Sequence, residues 1–180
     1  MKSRKIIVLI GTDGTGKTTV STKLESKLSS EQTEYAYLGM KLYKFPLTQR
    51  LHDSNSSLMQ GLFKYVIYPY DIFSKRRALP KNKNIIIDRL PGYPFSNKSK
   101  LLKFIYSFVI PKIDVLIWLH GTPEVIYQRK QERNPSGLIE DQKKIKRVFE
   151  NVPAKQKIDI SVDVLSADKV SELILKECSL

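Results

Sequence analysis

A chain of 180 residues that is 41% hydrophobic and 27% charged reads as one domain, 1–180, large enough for a substantial core. It holds no repeat, no low-complexity tract and no apolar run near the roughly 18 residues that a membrane span needs, so no membrane partner is expected. The net charge of +13 suits either nucleic acid or phosphorylated small ligands. Scattered lysines (Lys2, Lys5, Lys41, Lys81, Lys103, Lys143, Lys157) favour a solvated basic surface with a phosphate pocket, and make nucleic acid the less expected partner.

Met1–Lys5 followed by five apolar residues has the outline of a secretory leader, but Ile6 to Ile10 is too short for the apolar core of one. Those five residues read instead as a buried strand. They run into Gly11-x-x-x-x-Gly16-Lys17-Thr18, a phosphate-cradling loop, 11–18. Its glycines let backbone N–H groups turn around a β-phosphate. Lys17 reaches the β- and γ-phosphates, the positive end of a helix starting near it adds to the field, and the Thr18 hydroxyl ligates Mg²⁺. Such a match arises by chance on the order of once in a hundred chains of this length. In an empty site the Lys17 side chain is expected to be solvated.

The helix continues over 17–30 on Val20, Leu24 and Leu28. Tyr35 to Leu38 is a second strand, ended by Gly39. Residues 47–79 read as two helices broken around Asp53 to Ser57, with Pro69 kinking or restarting the second. Ile85-Ile86-Ile87-Asp88 is a third buried strand, followed by a loop holding Pro91, Gly92 and Pro94. An apolar helix over 99–109 stops at Pro111, and Asp114 to Leu119 is strand four. The next helix has Pro123 in its first turn and ends in the charges of Arg129 to Arg133. Asn134 to Gly137 is read as a loop, 139–150 as a charged helix, Ile158 to Val164 as a fifth strand and Ala167 to Glu177 as a closing helix. Strands apolar on both faces and alternating with helices argue for an α/β fold: a five-stranded parallel sheet with helices on both sides. Ligands of such sheets sit beyond the carboxyl ends of the strands. Cys178, the sole cysteine, has no partner for an internal disulfide, which fits a cytoplasmic protein.

The chemistry concentrates at those strand ends. Asp88 is placed to complete a Mg²⁺ site with Thr18, and Arg89 points to the mouth where a second phosphate would lie. Alternatively, Asp88 is a turn cap and Arg89 a surface charge. Arg129 and Arg133, four apart, share one face with Lys130 beside them, and suit a mobile lid over about 129–141 that neutralises a moving phosphoryl group. Their alternative role is to stabilise a helix C-terminus. Asp13, inside the phosphate loop, suits a hydroxyl of a second substrate better than a triphosphate, although Asp is also common in tight turns. Tyr65, Tyr68, Tyr70, Phe73, Arg76 and Arg77 offer rings and cations to an acceptor, or simply helix core and solvated charge.

The stretch Gly11-Thr-Asp-Gly-Thr-Gly-Lys-Thr-Thr19 resembles the phosphate loop of thymidylate kinases, and Asp88-Arg89 and the Arg129, Arg133 and Leu138-Ile-Glu140 stretch resemble their Asp-Arg motif and lid. The resemblance implies the three-layer sandwich of the P-loop nucleotide-binding enzymes. It also implies transfer of the γ-phosphoryl of ATP, with Mg²⁺, to a small-molecule phosphate acceptor, thymidine monophosphate first, and often a homodimer. On it, Gly11, Asp13, Gly14, Thr15, Gly16, Lys17, Thr18 and Thr19 contact ATP, and Thr18 and Asp88 hold the metal. Lys17, Asp88, Arg129 and Arg133 serve catalysis, while Asp13, Arg89, Phe73 and Arg77 bind the acceptor. Two features depart from the family. Its Arg-Glu-Pro-Gly-Gly segment after strand two is replaced by Tyr37-Leu-Gly-Met-Lys-Leu-Tyr-Lys-Phe-Pro46, and the Phe73/Arg77 pair stands closer to Asp88 than its counterpart does. Another acceptor, such as a nucleoside or sugar, therefore stays open. A regulatory GTP switch is disfavoured, since Asn97-Lys98-Ser99-Lys100 lacks the aspartate of a base-reading motif.

Overall fold

The computed structural model describes residues 4–28, 31–39, 42–131 and 134–178. Five strands, β1 (Ile6–Ile10), β2 (Thr33–Tyr37), β3 (Asn84–Asp88), β4 (Ile113–His120) and β5 (Ala154–Ser161), form one sheet in the order β2-β3-β1-β4-β5. All pairings are parallel. β1, β3 and β4 are the inner strands and carry Ile, Val and Leu on both faces, as a sheet covered on both sides requires.

Alternation along β1 divides the core in two. Ile7 and Leu9 join Ile86, Ile117 and Leu119 under α1 (Lys17–Lys27) and α9 (Ala167–Cys178). Ile6, Val8 and Ile10 join Ile85, Ile87 and Leu116 on the other face. That face is covered by α4 (Tyr68–Ala78), α6 (Lys100–Val109) and α8 (Pro135–Asn151) through Ile72, Tyr106 and Val148. α2 (Pro46–His52), α3 (Ser57–Leu62), α5 (Tyr93–Ser96) and α7 (Pro123–Arg129) complete the chain. The sandwich of helix, parallel sheet and helix expected from the sequence is thus present. No helix among the described residues is long and apolar enough to cross a membrane.

Several boundaries differ from the sequence reading, each for a local reason. β5 begins four residues earlier than expected, at Ala154, which pairs with Ile113. It is an edge strand, so Lys155, Gln156 and Lys157 can face water while their backbone completes the ladder. α8 begins at Pro135, within the stretch read as a loop: the Asn134 side chain accepts from the Gly137 N–H at 2.8 Å and Pro135 needs no donor there. The Pro-rich loop after β3 contains a helical turn, α5, with Pro94 in its first turn. Pro69 neither stops nor restarts its helix: a π-helical turn, Phe63–Ile67, runs into it, and the Tyr68 N–H reaches back to the Phe63 carbonyl. α3, the π turn and α4 therefore form one continuous helical run over 57–78.

Candidate nucleotide site

β1 and β3 lie side by side, with Leu9 opposite Asp88, so both motifs emerge at the same end of the sheet. The loop after β1 is tight. A side chain at Gly11 would put its Cβ 2.4 Å from the Leu119 carbonyl oxygen and 2.6 Å from Thr15 Oγ1. Gly14 has φ +89° and a Cβ there would meet Ile126 at 2.9 Å, so α7 packs directly on the loop backbone. Gly16, also left-handed, delivers the chain into α1. Inside the loop, Thr15 Oγ1 and Lys17 Nζ both donate to the Thr12 carbonyl, at 2.8 and 2.6 Å.

Lys17 corrects the expectation of a solvated side chain: it is only 4% exposed. Burial, and then the nearby Arg89 guanidinium, push its pKa down to about 8, against the pull of Asp13 and Asp88. The folded chain holds that proton less tightly than the unfolded one. The resulting cost is present below pH 8 and is relieved as pH rises toward the ordinary lysine range.

Asp88 is the other anchor. Its Oδ2 accepts from Thr18 Oγ1 at 2.9 Å and from the Tyr35 hydroxyl at 3.1 Å. The carboxylate is 2% exposed, and Oδ1 has no hydrogen-bond partner. A buried carboxylate oxygen left bare beside a threonine hydroxyl and below a phosphate loop fits a divalent cation. Among the described residues no cluster of three His, Cys, Asp or Glu could hold a metal alone. A cation here would take its remaining ligands from phosphate and water, as Mg²⁺ does. The Tyr35 contact was not read from the sequence. Its signal was an aromatic on β2 in register with Ile86, two pairs before Tyr37 meets Asp88 and on the same face.

Arg89, φ +72°, is the one non-glycine residue of left-handed backbone among those described. Such a conformation costs on the order of 1–3 kcal/mol. It turns the guanidinium back onto the loop, where Nη2 meets Asp13 Oδ1 at 2.5 Å. Burial raises the Asp13 pKa, but the Arg89 bond and charge, with Lys17 and Lys130 behind them, outweigh it and hold the carboxyl below its usual range. This pair divides the space at the strand ends. On one side, Asp13, Gly14, Gly16, Lys17, Thr18, Thr19, Arg89, Arg129 and Lys130 line a cleft of about 320 Å³. On the other, Asp13 and Arg89 face Leu138, Asp141, Lys144 and Ile145 of α8 across a cleft of about 170 Å³.

The remaining candidates separate. Arg129 borders the first cleft, with Nη2 donating to the Val162 carbonyl at 2.7 Å, so it ties α7 to the end of β5. Arg133 lies outside the described residues, as does residue 132 of the expected lid, whose far end is the first turns of α8. Phe73 and Arg77 are not brought to the site: Arg77 sits over the Phe73 ring at 5.7 Å, and neither lines the clefts beside the loop. Helix α4 runs back toward the start of β3, and the neighbouring Arg76 donates to the Phe108 and Ile110 carbonyls ahead of β4. That is the opposite end of the sheet. Lys144 and Asp141 border the second cleft without having been singled out in the sequence, because α8 was expected to begin later and its face could not be assigned.

A parallel sheet in this order, with a phosphate loop after β1 and an aspartate at the end of β3, defines a P-loop protein of the kinase-like fold. Residues 7–151 match the family model described as an AAA domain, and the chain belongs to that family. No curated protein sequence matches it. Among solved structures it is similar to thymidylate kinase from Candida albicans (19% identity, TM-score 0.68, covering 98% of this chain and 92% of that one). Deoxyadenosine kinase from M. mycoides is also similar (18%, 0.58, 97% and 98%), as is shikimate kinase from Acinetobacter baumannii (16%, 0.54, 98% and 93%). At these identities the likeness is one of fold.

Proposed function

We propose that the protein transfers the γ-phosphoryl group of ATP to a small-molecule acceptor. The observation that carries this reading is Asp88: a buried carboxylate fixed by Thr18 and Tyr35, whose second oxygen has no hydrogen-bond partner. Thr18 and Asp88 would hold Mg²⁺, which when bound neutralises phosphate charge. Lys17, released from the Thr12 carbonyl, moves onto the β- and γ-oxygens, and the Gly14 to Thr19 backbone and the start of α1 cradle them. Arg129 and Lys130 close the donor side, and Arg133 is the further lid cation. Phosphoryl transfer asks little covalent chemistry of a protein, so this positioning and charge are the catalytic contribution.

The acceptor lies on the other side of the Asp13–Arg89 pair. Its phosphate or hydroxyl oxygen attacks the γ-phosphorus as the bond to ADP breaks; a hydroxyl acceptor passes its proton to solvent or to the transferred phosphate, whereas an anionic phosphate oxygen has none to lose. Asp13 accepts from an acceptor hydroxyl, and Arg89 binds an acceptor phosphate when there is one. Thymidine monophosphate is the first acceptor to test, on the resemblance of the loop, Asp-Arg and lid motifs. A second reading, a nucleoside or sugar, is favoured by one observation. The segment replacing the thymidylate kinases' acceptor motif is bolted to α4, with Asp71 accepting from the Lys44 and Phe45 N–H groups, and Phe73 and Arg77 stay away from both clefts. ADP release measured across deoxynucleoside monophosphates, nucleosides and sugars tests both. Turnover with thymidine monophosphate above the others supports the first, and turnover with an unphosphorylated acceptor the second. Tight Mg·ATP binding with no turnover on any acceptor would contradict both.

A further inference from the structure

Helix α8 brings a row of side chains to the strand ends. Leu138, Asp141, Ile145 and Val148 recur at three- and four-residue steps, so they share one face. Leu138 and Val148 are buried, which turns that face inward, and Lys144, three residues after Asp141, stands at its margin. The helix is held at two points. Gln142 donates to the Gly121 carbonyl at 2.8 Å, and Val148 packs so close to Gly92 that a Cβ there would lie 3.2 Å from it. The row meets Asp13 and Arg89 across the cleft of about 170 Å³. Through Ile145 and Val148 it continues along a second cleft, of about 160 Å³, that Ile10, Gly11, Lys17 and Leu90 also line.

The lining selects a class of acceptor. Among the described residues no Phe, Tyr, Trp or His borders either cleft. Tyr37, whose hydroxyl lies within electrostatic range of Arg89, folds back on Gly39, where a Cβ would sit 2.6 Å from its oxygen. A purine or pyrimidine would thus meet aliphatic side chains and charges, with no ring on which to stack. Both volumes also fall below the roughly 300–1,000 Å³ of sites for drug-sized ligands. What the walls offer is hydrogen bonding and charge. Asp13 on the loop and Asp141 on α8 carry carboxylates, which as anions only accept and so suit hydroxyl donors. Thr12, 5% exposed, lines the same cleft and its hydroxyl has no hydrogen-bond partner, a state that buried polar groups rarely keep. Arg89 and Lys144 supply the cations. Lys144 Nζ lies 3.0 Å from Glu140 and 3.9 Å from Asp141, solvent-exposed pairs weak enough to be exchanged for the anion of a ligand.

We infer, resting on the phosphotransferase reading above and narrowing its second form, that α8 selects the acceptor: Asp141 and Lys144 bind an aliphatic polyol that bears one anionic group, a carboxylate or a phosphate. Asp13 and Asp141 take the polyol hydroxyls, and Arg89 and Lys144 take the anion. One hydroxyl oxygen bonds to the γ-phosphorus as the bond to ADP breaks, and its proton passes to solvent or to the transferred phosphate. Asp141 and Lys144 act in binding, so their loss is read in the acceptor KM before kcat.

The test is ADP release from Mg·ATP by the full chain with gluconate, sorbitol phosphate, sorbitol, thymidine or thymidine monophosphate as acceptor. Gluconate or sorbitol phosphate is expected to turn over above the other three, and the better of the two tells carboxylate from phosphate. Lys144→Ala should raise the KM of that acceptor by about tenfold, and Asp141→Asn by roughly fivefold. In both variants the ATP KM should stay within about twofold of wild type and circular dichroism unchanged, and Lys144→Arg should keep most of the acceptor affinity. Turnover led by thymidine, its monophosphate or uncharged sorbitol would overturn the inference and leave the phosphotransferase reading standing. So would an acceptor KM in Lys144→Ala equal to that of wild type. No turnover on any of these acceptors, with Mg·ATP tightly bound, would overturn both.

Discussion

The two sides of the Asp13–Arg89 pair are built differently. Toward the phosphate loop every feature is fixed in advance. Gly11 and Gly14 admit no side chain, Thr15 and Lys17 are pinned to the Thr12 carbonyl, and Asp88 is held by two hydroxyls. Toward the proposed acceptor side, the cleft is walled by side chains of α8, Leu138, Asp141, Lys144 and Ile145. The lesson is physical. A triphosphate is recognised by backbone and charge that any acceptor chemistry can share, whereas an acceptor is recognised by side chains that change with it.

Mutations that strike the first side should have the largest effects. Lys17→Ala should lower kcat by about 10²–10³-fold, the scale of losing one donor to transition-state charge, with circular dichroism unchanged. Activity above half of wild type would place Lys17 outside the chemistry. Asp88→Asn should come next, raising the Mg²⁺ concentration for half-maximal rate. Tyr35→Phe should do the same more weakly, by roughly fivefold, since one hydrogen bond is worth about 1 kcal/mol. Mn²⁺ binding followed by electron paramagnetic resonance checks both without turnover, and identical binding in all three proteins would make Asp88 a turn cap. Arg89→Ala should raise the acceptor KM far more than the ATP KM if the acceptor carries a phosphate, and equal changes would break the division between the two sides. The smallest effect is expected from Phe73→Ala and Arg77→Ala, under twofold on either KM, because the pair contacts itself and lines neither cleft. A strong effect of Arg77→Ala on the acceptor KM would extend the acceptor site along α4.

The same division governs what the sequence made legible. β1, β3 and β4 were readable as runs of Ile, Val and Leu, and the loop and Asp88 as spaced motifs, because burial and phosphate geometry restrict residue choice there. Asn134-Pro135 carries a helix-cap signal inside a stretch that otherwise has loop composition, and the Lys155–Lys157 part of β5 has the polar residues of an edge. The burial of Lys17 was not readable: it follows from Thr12 turning its carbonyl inward, a backbone event that residue types do not report. Nor was the separation of Phe73 and Arg77 from the site, since their spacing fits a helix wherever that helix leads. Tyr35 meets Asp88 only through strand register, which links residues 53 positions apart.

Calorimetric titration of Mg·ATP into the protein at pH 8, in buffers of differing ionisation enthalpy, tests the central claim most directly. Burial lowers the Lys17 pKa to about 8 in the empty site, so part of the population is deprotonated at pH 8, and phosphates that replace the Thr12 carbonyl raise that pKa. Binding should therefore take up a fraction of a proton per site at pH 8 and much less at pH 6.5. Affinity should decline as pH rises beyond 8, and Lys17→Met should abolish the uptake. Tight binding with no proton uptake at pH 8, or with the same uptake in Lys17→Met, would contradict the account.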